Sequence, residues 1–407
     1  MHILVAGAGI GGLTAALALA EKGFRVSIFE RSPELGEVGA GLQIAANGTR
    51  VLEKLGLGKA LDEIGFKPQA ATLRLGDTGR VIFSNPLGQV AFDRYGAWYY
   101  HVHRADLHRI LAAAVSQSPL IDLRLGATVE AFVDDEAGVT VSLTDGTHAS
   151  GEALIGADGI HSVIREGLFG VEHPRFTGNV AWRLLVPTKK IPSDLISPHA
   201  TVWTGPQGHA VTYYVRGGEL VNFVGVIERR DWQVEGWLEA GDLSELRRDF
   251  APWCETIHTL IEAGDEQACF KWALFDRDPL KNWTMGRVTL LGDACHPMLP
   301  FMAQGACMAI EDAWSLATWL SELKDPKAAF VAYEVERSKR TGRVQMAARA
   351  NAKRFHKGAL AGKLATYGPM WLAAKLVPGI LNKPFDWIYD YDVTSPSGKS
   401  VQKALVE

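Results

Sequence analysis

The stretch HILVAGAGIGG, residues 2–12, decides the fold of this chain. Its first five residues are mostly apolar and predict a buried strand, and its glycines follow the pattern G-x-G-x-x-G. The Ala- and Leu-rich residues 13–22 predict a helix, and residues 25–29 predict a second strand that ends at Glu30. A strand, a glycine-rich turn, a helix and a second strand closed by an acid make up the dinucleotide-binding βαβ unit.

Each glycine of the turn has its own task in such a unit. Gly7 allows the tight turn, Gly9 lets the backbone approach a pyrophosphate, and Gly12 lets the helix pack close to the strand. The N-terminus of the helix favours the negative charge of the pyrophosphate. Glu30 is placed to accept hydrogen bonds from a ribose. A tight turn without a ligand is the alternative, but the flanking elements and the acid all stand in register.

The bulk composition indicates an ordinary globular protein of two or three domains. The chain has 407 residues, of which 47% are hydrophobic and 22% charged, and its net charge is −4. This balance disfavours a nucleic-acid partner. The four cysteines form no C-x-x-C pair, so we expect reduced thiols in a cytoplasmic protein and no bound metal. The apolar stretch 371–381 is too short to span a bilayer, and we see no signal peptide.

The pattern of apolar and polar residues changes along the chain in a way that indicates interleaved domains. Alternating apolar and polar residues predict antiparallel strands at 71–83 and again between 176 and 270, while 288–293 returns to a buried-strand pattern. Helical patterns follow at 305–320 and 328–353. We expect an α/β fold in which a Rossmann-like domain is interleaved with an antiparallel-sheet substrate domain and followed by C-terminal helices. The predicted parts are 1–70, 97–172 and 273–325 for the Rossmann-like domain, 71–96 and 173–272 for the substrate domain, and 326–407 for the helices.

Two later segments resemble the opening one, because glycine and an acid follow a predicted strand in each. Gly156-Ala157-Asp158-Gly159 and Gly292-Asp293 each follow an apolar strand. In an open α/β sheet, ligands bind at the carboxyl ends of the strands. Glu30, Asp158 and Asp293 at that edge suit a long ligand with several hydroxyl groups. Any one of these acids could instead cap a helix.

These motifs make the chain resemble the single-component, FAD-dependent aromatic hydroxylases of the para-hydroxybenzoate hydroxylase type. The resemblance covers nearly the whole chain and rests on the two segments above, the opening motif and the segment GDACHP at 292–297. It implies that the opening glycines hold the FAD pyrophosphate, that Glu30 holds the adenosine ribose and that Asp293 holds the ribityl chain. It also implies contacts of FAD with Arg104 and of the pyrophosphate region and nicotinamide with Asp158 and Gly159.

Within this family the chain is similar to the salicylate, 3-hydroxybenzoate and 6-hydroxynicotinate hydroxylases. Residues 39–43 resemble the 3-hydroxybenzoate type, and residues 302–313 resemble the 6-hydroxynicotinate type. The latter type has histidines where this chain has Gln43 and Phe301, and the former has a glutamine where this chain has Pro300. The groups around the substrate ring therefore differ from both types.

The resemblance implies a monooxygenase reaction. NADH or NADPH reduces FAD, O₂ adds to form a C4a-hydroperoxyflavin, and a small phenolic or hydroxy-N-heteroaromatic acid is hydroxylated. The helix that begins near Gly305 follows the Asp293 loop, so its N-terminus can face the flavin. Further cofactor contacts are expected at the helix start and in the glycine-rich loop that follows Glu30: Gln304, Gly305, Ala306, Arg31 and Gln43.

The substrate contacts are expected on the loop after Asp293 and on the antiparallel sheet. Met298, Pro300 and Phe301 belong to an apolar loop that can exclude water, although such a loop can also be plain core. His209 stands at the start of a predicted strand, titrates in the useful range and matches the histidine base of the two similar types. Tyr213 lies on the same face by the two-residue period. Arg183 could bind a substrate carboxylate or make a surface salt bridge.

Other interpretations stay open at this point. The same scaffold supports an FAD oxidase or dehydrogenase, or a flavin-binding protein without turnover. The sequence contains one G-x-G-x-x-G βαβ unit, so we expect NAD(P)H to bind without a domain of its own. We expect a monomer or homodimer whose partners are the aromatic substrate and O₂, with no membrane partner.

Overall fold

The structure is a computed structural model that describes residues 1–36, 40–234, 236, 239–357, 360–376 and 383–395. Three residues of the glycine-rich loop, 37–39, and the end of the predicted C-terminal segment, 396–407, lie outside this range. The strands are β1 His2–Ala6, β2 Arg25–Glu30, β3 Gly41–Ile44, β4 Ala70–Leu75, β5 Val81–Pro86, β6 Tyr100–His103, β7 Ile121–Leu125, β8 Val129–Asp135, β9 Gly138–Leu143, β10 His148–Gly151, β11 Ala153–Gly156, β12 Arg175–Pro187, β13 His199–Gly205, β14 Gly208–Val215, β15 Leu220–Glu228, β16 Cys269–Asp276, β17 Thr284–Met285 and β18 Val288–Leu290.

The helices pack around the sheets that these strands form. They are α1 Ile10–Glu21, α2 Ala46–Lys54, α3 Gly58–Ile64, α4 Gln89–Tyr95, α5 Arg104–Gln117, α6 Val163–Phe169, α7 Leu243–Asp249, α8 Glu255–Ala263, α9 Gly305–Leu323, α10 Pro326–Phe355, α11 Leu360–Leu376 and α12 Lys383–Tyr389. None of the helices in the described part of the chain has both the length and the apolar character needed to cross a membrane.

The first sheet has the strand order β17-β18-β11-β1-β2-β7, and all its neighbouring pairs except β17–β18 are parallel. β1 sits in the middle, where Ile3 pairs with Val26 on one side and with Ala153 on the other. The strands are apolar because helices cover both faces of such a sheet. Their carboxyl ends share one edge, which brings Glu30, Gly156 and Leu290 to the same side of the molecule.

The second sheet has the order β16-β12-β15-β14-β13-β4-β5 and is antiparallel except for the β4–β13 pair. One face packs on α7 and α8 through an apolar cluster that includes Trp182, Trp203 and Phe223. The opposite face includes Ala181 and Val226, which pack on Phe301 from the loop before α9. The second sheet, which forms most of the predicted substrate domain and is called the substrate sheet, therefore covers the edge of the first sheet where the carboxyl ends of its strands lie.

This architecture confirms the predicted fold class, in which strands for the second sheet interrupt the Rossmann-like part. β4 and β5 come from the first half of the chain but belong to the second sheet, where β4 pairs with both β13 and β5. The division into domains stays a prediction, and β16 runs across its boundary at residue 272. Smaller sheets of β8–β10 and of β3 with β6 complete the described strands.

The last described residues return to the Rossmann-like part. Arg50 donates to the backbone oxygens of Tyr389 and Tyr391, over 2.9 and 3.0 Å. Arg340 on α10 donates to the carbonyl of Trp387 over 2.7 Å. Charged hydrogen bonds to carbonyls, rather than apolar packing alone, thus hold the segment of α12 in place.

Candidate active site

The opening turn places one glycine next to open space and two against backbone. Gly7 has φ of +99°, and a Cβ there would lie 2.5 Å from the carbonyl oxygen of Ala157. A Cβ at Gly12 would collide with the carbonyl oxygen of Gly7. A Cβ at Gly9 would meet no atom within 4 Å. Gly7 and Gly12 are therefore required by packing, whereas Gly9 borders the space where a ligand would approach the N-terminus of α1.

Glu30 stands beside this turn at the end of β2. Its carboxylate accepts hydrogen bonds from the N–H groups of Ala8 and Ser32, over 2.7 and 2.9 Å. His108 on α5 bonds the carbonyl of Ala8 over 2.8 Å, a contact that sequence reasoning missed. Arg31 follows Glu30 and is exposed. The acid thus lies where the sequence placed it, and the same carboxylate also stiffens the turn.

Asp158 bonds the start of α6 with one carboxylate oxygen only. One carboxylate oxygen accepts from the N–H of Ile164 over 3.2 Å, and Ser162 caps the same helix, α6. The other oxygen, Oδ1, is buried and has no hydrogen-bond partner within the described part of the chain. Burial raises the pKa of Asp158. Gly159 beside it has φ of +81° and open space around its Cβ position.

Asp293 follows β18 at the carboxyl edge of the first sheet, and the space between this edge and the second sheet is here called the cleft. Its side chain is exposed, although its neighbours Gly292 and Ala294 are buried. The protein around the cleft raises the pKa of Asp293, while the charges of His296 and Arg104 act in the opposite direction. The backbone N–H of Arg104 donates to the carbonyl of Ala40 over 2.8 Å, which fixes the start of α5 next to the glycine-rich loop.

The N-terminus of α9 borders the same cleft. Gln304 precedes the helix, and its Oε1 accepts from the side chain of Asn47 over 3.0 Å. Its Nε2 is buried without a hydrogen-bond partner among the described residues. Gly305 and Ala306, the first residues of the helix, are half-buried. The first N–H groups of a helix lack acceptors within it, so this end carries partial positive charge.

The β3 strand lies beside this helix start. Cys307 donates a weak hydrogen bond to the carbonyl of Gln43, with Sγ and O 3.7 Å apart. The side chain of Gln43 accepts from the hydroxyl of Tyr99 over 2.7 Å. Asn47 connects α2 to the same helix start. It lies in the first turn of α2, and its side-chain amide donates to Gln304 and Glu311.

Behind the helix start lies a buried network of charges that sequence reasoning missed. Asp312 accepts hydrogen bonds from His296 and from Arg337, whose Nε lies 2.7 Å from Oδ1. Glu311 pairs with Arg337 and Arg340 over 2.6 and 2.8 Å. Arg337 and Arg340 keep the pKa of Glu311 low despite its burial, and His296 and Arg337 do the same for the pKa of Asp312. The sequence does contain a signal for this network. Two adjacent acids lie in the mostly apolar helix α9, and two arginines lie three residues apart on α10.

The facing sheet brings the ring of Tyr213 onto the backbone of the Rossmann-like part. A Cβ at Gly41 would lie 2.5 Å from Cε2 of Tyr213 and 2.7 Å from its hydroxyl. His101 on β6 packs against the other side of this ring, with 4.6 Å between centroids. Asn222 on β15 accepts a hydrogen bond from the N–H of Gly41 over 2.8 Å. Close packing at Gly41 thus joins the small β3–β6 sheet to the second sheet.

Arg183 is buried on the same face of the sheet and does not lie at the protein surface. It is 1% exposed, and its guanidinium lies 4.8 Å from the ring of Phe270 and 5.5 Å from that of Trp272. Burial and the charge of Arg104 lower the pKa of Arg183 to about 10. It is therefore still cationic at neutral pH, and two arginines place positive potential near the cleft.

His209 is buried next to the loop that follows Asp293. It is 1% exposed, and its ring meets that of Phe301 edge-on, with 4.9 Å between centroids. Its Nδ1 lies 2.9 Å from Nε2 of His356, a residue that sequence reasoning did not single out. Burial, followed by the nearby His356, lowers the pKa of His209 well below its ordinary value. His209 is therefore a neutral ring at pH 7 that can accept a proton.

The loop between Asp293 and α9 is partly core and partly wall of the cleft. Phe301 is buried and packs with Leu299 against Ala348 of α10. Met298 is half-buried and Pro300 is exposed. Asn351 donates to the carbonyl of Phe301 over 3.1 Å and so anchors the loop to α10. The apolar loop is therefore rigidly held, and its outer residues remain available to line a ligand.

Together these features fit a long ligand with a pyrophosphate and a polyhydroxyl chain. Open space at Gly9 and Gly159 leaves room for a pyrophosphate beside the helix end. The buried atoms Asp158 Oδ1 and Gln304 Nε2 lack partners in the described residues. The exposed carboxylate of Asp293 lies farther along. The fold and site define a flavin-dependent oxidoreductase whose cofactor cleft is covered by a substrate sheet.

Comparison with known proteins identifies the family within this class. Residues 1–348 match the family described as FAD binding domain. The chain is 39% identical to 3-hydroxybenzoate 6-hydroxylase 1 of Aquipseudomonas alcaligenes, over 84% of this chain and 86% of that protein. It is also 39% identical to 6-hydroxynicotinate 3-monooxygenase of Pseudomonas fluorescens, over 84% and 89% of the two chains. The chain belongs to this family of FAD-dependent monooxygenases.

Solved structures show the same architecture. A variant of HpxO from Klebsiella pneumoniae, complexed with FAD, superposes with a TM-score of 0.85 at 29% identity, covering 96% of this chain and 99% of that one. A salicylate hydroxylase in complex with its substrate gives a TM-score of 0.80 at 25% identity, covering 97% and 96%. The cofactor of this chain is accordingly FAD, with NAD(P)H as co-substrate.

Proposed function

We propose that this enzyme hydroxylates a small phenolic or hydroxy-N-heteroaromatic acid, of the hydroxybenzoate, salicylate or hydroxynicotinate kind. The observation that carries the proposal is the position of His209 and Arg183. Both are buried on the face of the substrate sheet that covers the cofactor cleft. A neutral base and a fixed cation on one wall suit an aromatic acid that carries a hydroxyl and a carboxylate. The named activities of the relatives are of this kind.

The cofactor contacts proposed here follow the cleft from one end to the other. Gly7, Gly9 and Gly12 shape the turn for the pyrophosphate, and Glu30 and Arg31 take the adenosine end. Gln43 on β3 and the N–H groups at the start of α9 face the ring system. Bound FAD would supply the redox chemistry, by which NAD(P)H provides the electrons and O₂ provides the oxygen atom. The remaining proposed contacts are Arg104, Asp158, Gly159, Asp293, Gln304, Gly305 and Ala306.

Arg183 is proposed to bind the substrate carboxylate. Its guanidinium packs against two aromatic rings, so it loses little freedom when it pairs with a carboxylate. A pKa of about 10 keeps it charged throughout the neutral range. The carboxylate thus sets the orientation of the ring.

His209 is proposed to act as the base that removes the proton from the substrate hydroxyl. A phenolate is a better nucleophile than a phenol, so this step raises the electron density of the ring that is to be attacked. The lowered pKa keeps His209 neutral at pH 7, so one of its ring nitrogens is unprotonated. Tyr213, four residues along the same strand, contacts the ring or its hydroxyl from the same side.

Exclusion of water is assigned to the loop before α9. Met298, Pro300 and Phe301 are proposed to close one side of the substrate space, which protects a reactive oxygen donor from stray protons. The contact of Phe301 with His209 keeps the base in the same dry environment. A cytoplasmic location and a monomeric or homodimeric state belong to the same proposal.

A substrate screen tests the proposal. The purified FAD-loaded enzyme is mixed with NADH or NADPH and with a panel of hydroxybenzoates and hydroxypyridine carboxylates, and NAD(P)H oxidation and product mass are recorded. We expect at least one acid to stimulate oxidation and to gain one oxygen atom. Equal oxidation with and without every acid would contradict it. Substrate oxidation that yields peroxide without NAD(P)H would indicate an oxidase, and flavin binding without turnover a non-catalytic protein.

A further inference from the structure

The hydrogen bonds of His209 continue beyond the cleft. Its Nδ1 lies 2.9 Å from Nε2 of His356, and Nδ1 of His356 lies 2.8 Å from a carboxylate oxygen of Glu228. Three separate elements supply these residues. His209 lies on β14, Glu228 ends β15, and His356 follows α10 as its C-terminal cap. The chain therefore brings together two imidazoles and one carboxylate in an unbroken row.

Exposure rises along this row from the cleft to the surface. His209 is 1% exposed, the side chain of His356 is 3% exposed, and that of Glu228 is 50% exposed. Phe301 and Phe355 lie against the ring of His209 and shield it from other polar contacts. The hydrogen bond of the His209 ring leads through His356 to Glu228, which meets solvent.

We propose that His209, His356 and Glu228 form a proton relay that carries the proton of the substrate hydroxyl from the closed cleft to solvent. The inference rests on the proposed function, because it assumes that His209 receives that proton. A base that is buried behind an apolar loop can accept a second proton only after it has released the first one. His356 and Glu228 provide a path for this release without opening the cleft.

The proton count balances along the row. Nε2 of His209 accepts the proton of the substrate O–H, and the proton on its Nδ1 moves to Nε2 of His356. The proton on Nδ1 of His356 then moves to the carboxylate of Glu228, which releases it to water. Each ring gives up one proton as it takes one, so neither remains charged. When the product oxygen is protonated, a proton travels back along the same path and restores both tautomers.

The surroundings of the two rings suit such transfer. Burial lowers the pKa of His356, while the carboxylate of Glu228 opposes this effect. His209 is likewise neutral, and Glu228 is the charged group bonded to the pair. Two neutral imidazoles joined by a hydrogen bond can pass a proton from one ring to the other, and a half-exposed carboxylate supplies the exit. A merely structural pair would need no connection to an acid at the surface.

Proton release on substrate binding tests the relay without any turnover. The FAD-loaded protein is mixed in weak buffer with 3-hydroxybenzoate and a pH-indicator dye, and no NAD(P)H is present. Phenolate absorbance and dye absorbance are followed by stopped flow. The variants are Glu228→Gln and His356→Ala. Glu219→Gln is the matched control, because Glu219 is also exposed and immediately precedes the strand that Glu228 ends.

We expect proton release to slow at least tenfold in both variants, with little change in Kd for 3-hydroxybenzoate. Added imidazole should restore the rate in His356→Ala, a result that a structural role would not give. The Glu219→Gln protein should behave like the wild type. Release at the wild-type rate in both variants, or no release by the wild type itself, would overturn the relay. If the substrate screen fails for the wild type as well, the proposed function falls, whereas an active wild type with unaffected variants removes the relay alone.

Discussion

Phe301 meets the ring of His209 edge-on, with 4.9 Å between the two centroids. One residue belongs to the loop between Asp293 and α9, and the other begins β14 of the substrate sheet. The contact therefore closes the cleft between the cofactor edge and the sheet that covers it. It also keeps the proposed base in an apolar setting, where burial holds its pKa low.

Replacing this base should separate binding from chemistry. In His209→Ala, we expect FAD to stay bound and hydroxylation to fall by roughly 10²-fold, the usual scale for losing an acid–base group. NAD(P)H oxidation and product formation measured together would show the loss. His199→Ala is a suitable control, since His199 lies on the neighbouring β13 and bonds Thr72 instead of facing the cleft.

The pH profile of the wild type checks the same assignment. A histidine with a lowered pKa stays neutral until the pH falls below the ordinary value of 6.5. The acid-side decline of kcat/KM should therefore lie below pH 6.5. A decline centred above that value, or a His209→Ala enzyme with unchanged rate and coupling, would remove His209 from the mechanism.

A side chain at Gly9 should interfere with the cofactor and spare the fold. The backbone of Gly9 is extended, with φ of −68°, so Gly9→Val causes no strain, and its Cβ would enter space that holds no protein atom. We expect the purified variant to have lost most of its FAD while keeping its circular dichroism spectrum. Gly368→Val, also beside open space, should keep its FAD. A Gly9→Val protein with full FAD content would refute the placement of the pyrophosphate.

Loss of the buried cation should change substrate preference. Arg183→Leu removes the proposed carboxylate partner, so we expect kcat/KM for a hydroxybenzoate to fall by at least tenfold, while the corresponding phenol without a carboxylate is used no worse. The ratio of the two kcat/KM values is the measurement. An equal loss for both compounds would show that Arg183 supports the sheet and does not read the carboxylate.

The charge network behind α9 should matter for stability. Arg337→Met leaves Glu311 and Asp312 buried without one of their main partners, and breaking a buried pair typically costs about 3–5 kcal/mol. Urea denaturation should show a loss of this size in the free energy of unfolding. The surface pair of Arg247 and Glu262 offers a control, since Arg247→Met should cost less than about 1 kcal/mol. A similar small loss in both variants would contradict the prediction.

The sequence was sufficient for the fold because its decisive features are local. The opening glycines sit directly between a strand and a helix, and the strands of both sheets follow from apolar runs and from alternation. The positions of Glu30 and Asp293 follow from the strands that end beside them. The same two-residue period put His209 and Tyr213 on one face of β14.

What the sequence could not supply are contacts between distant parts of the chain. His356 reaches His209 from 147 residues away, and Asn47 reaches Glu311 from 264 residues away. No periodic pattern relates such positions, because the order of strands and helices decides which side chains meet. Arg183 shows the same limit, since alternation gave its face but not its burial against aromatic rings.

The most direct test of the account is the origin of the oxygen atom in the product. The wild-type enzyme is given NAD(P)H, ¹⁸O₂ and the acid that stimulates oxidation most, and the product is analysed by mass spectrometry. We predict that each product molecule gains one oxygen atom and that this atom carries the label. Stimulated oxidation that yields peroxide with no labelled product, or a product whose new oxygen comes from water, would contradict the account.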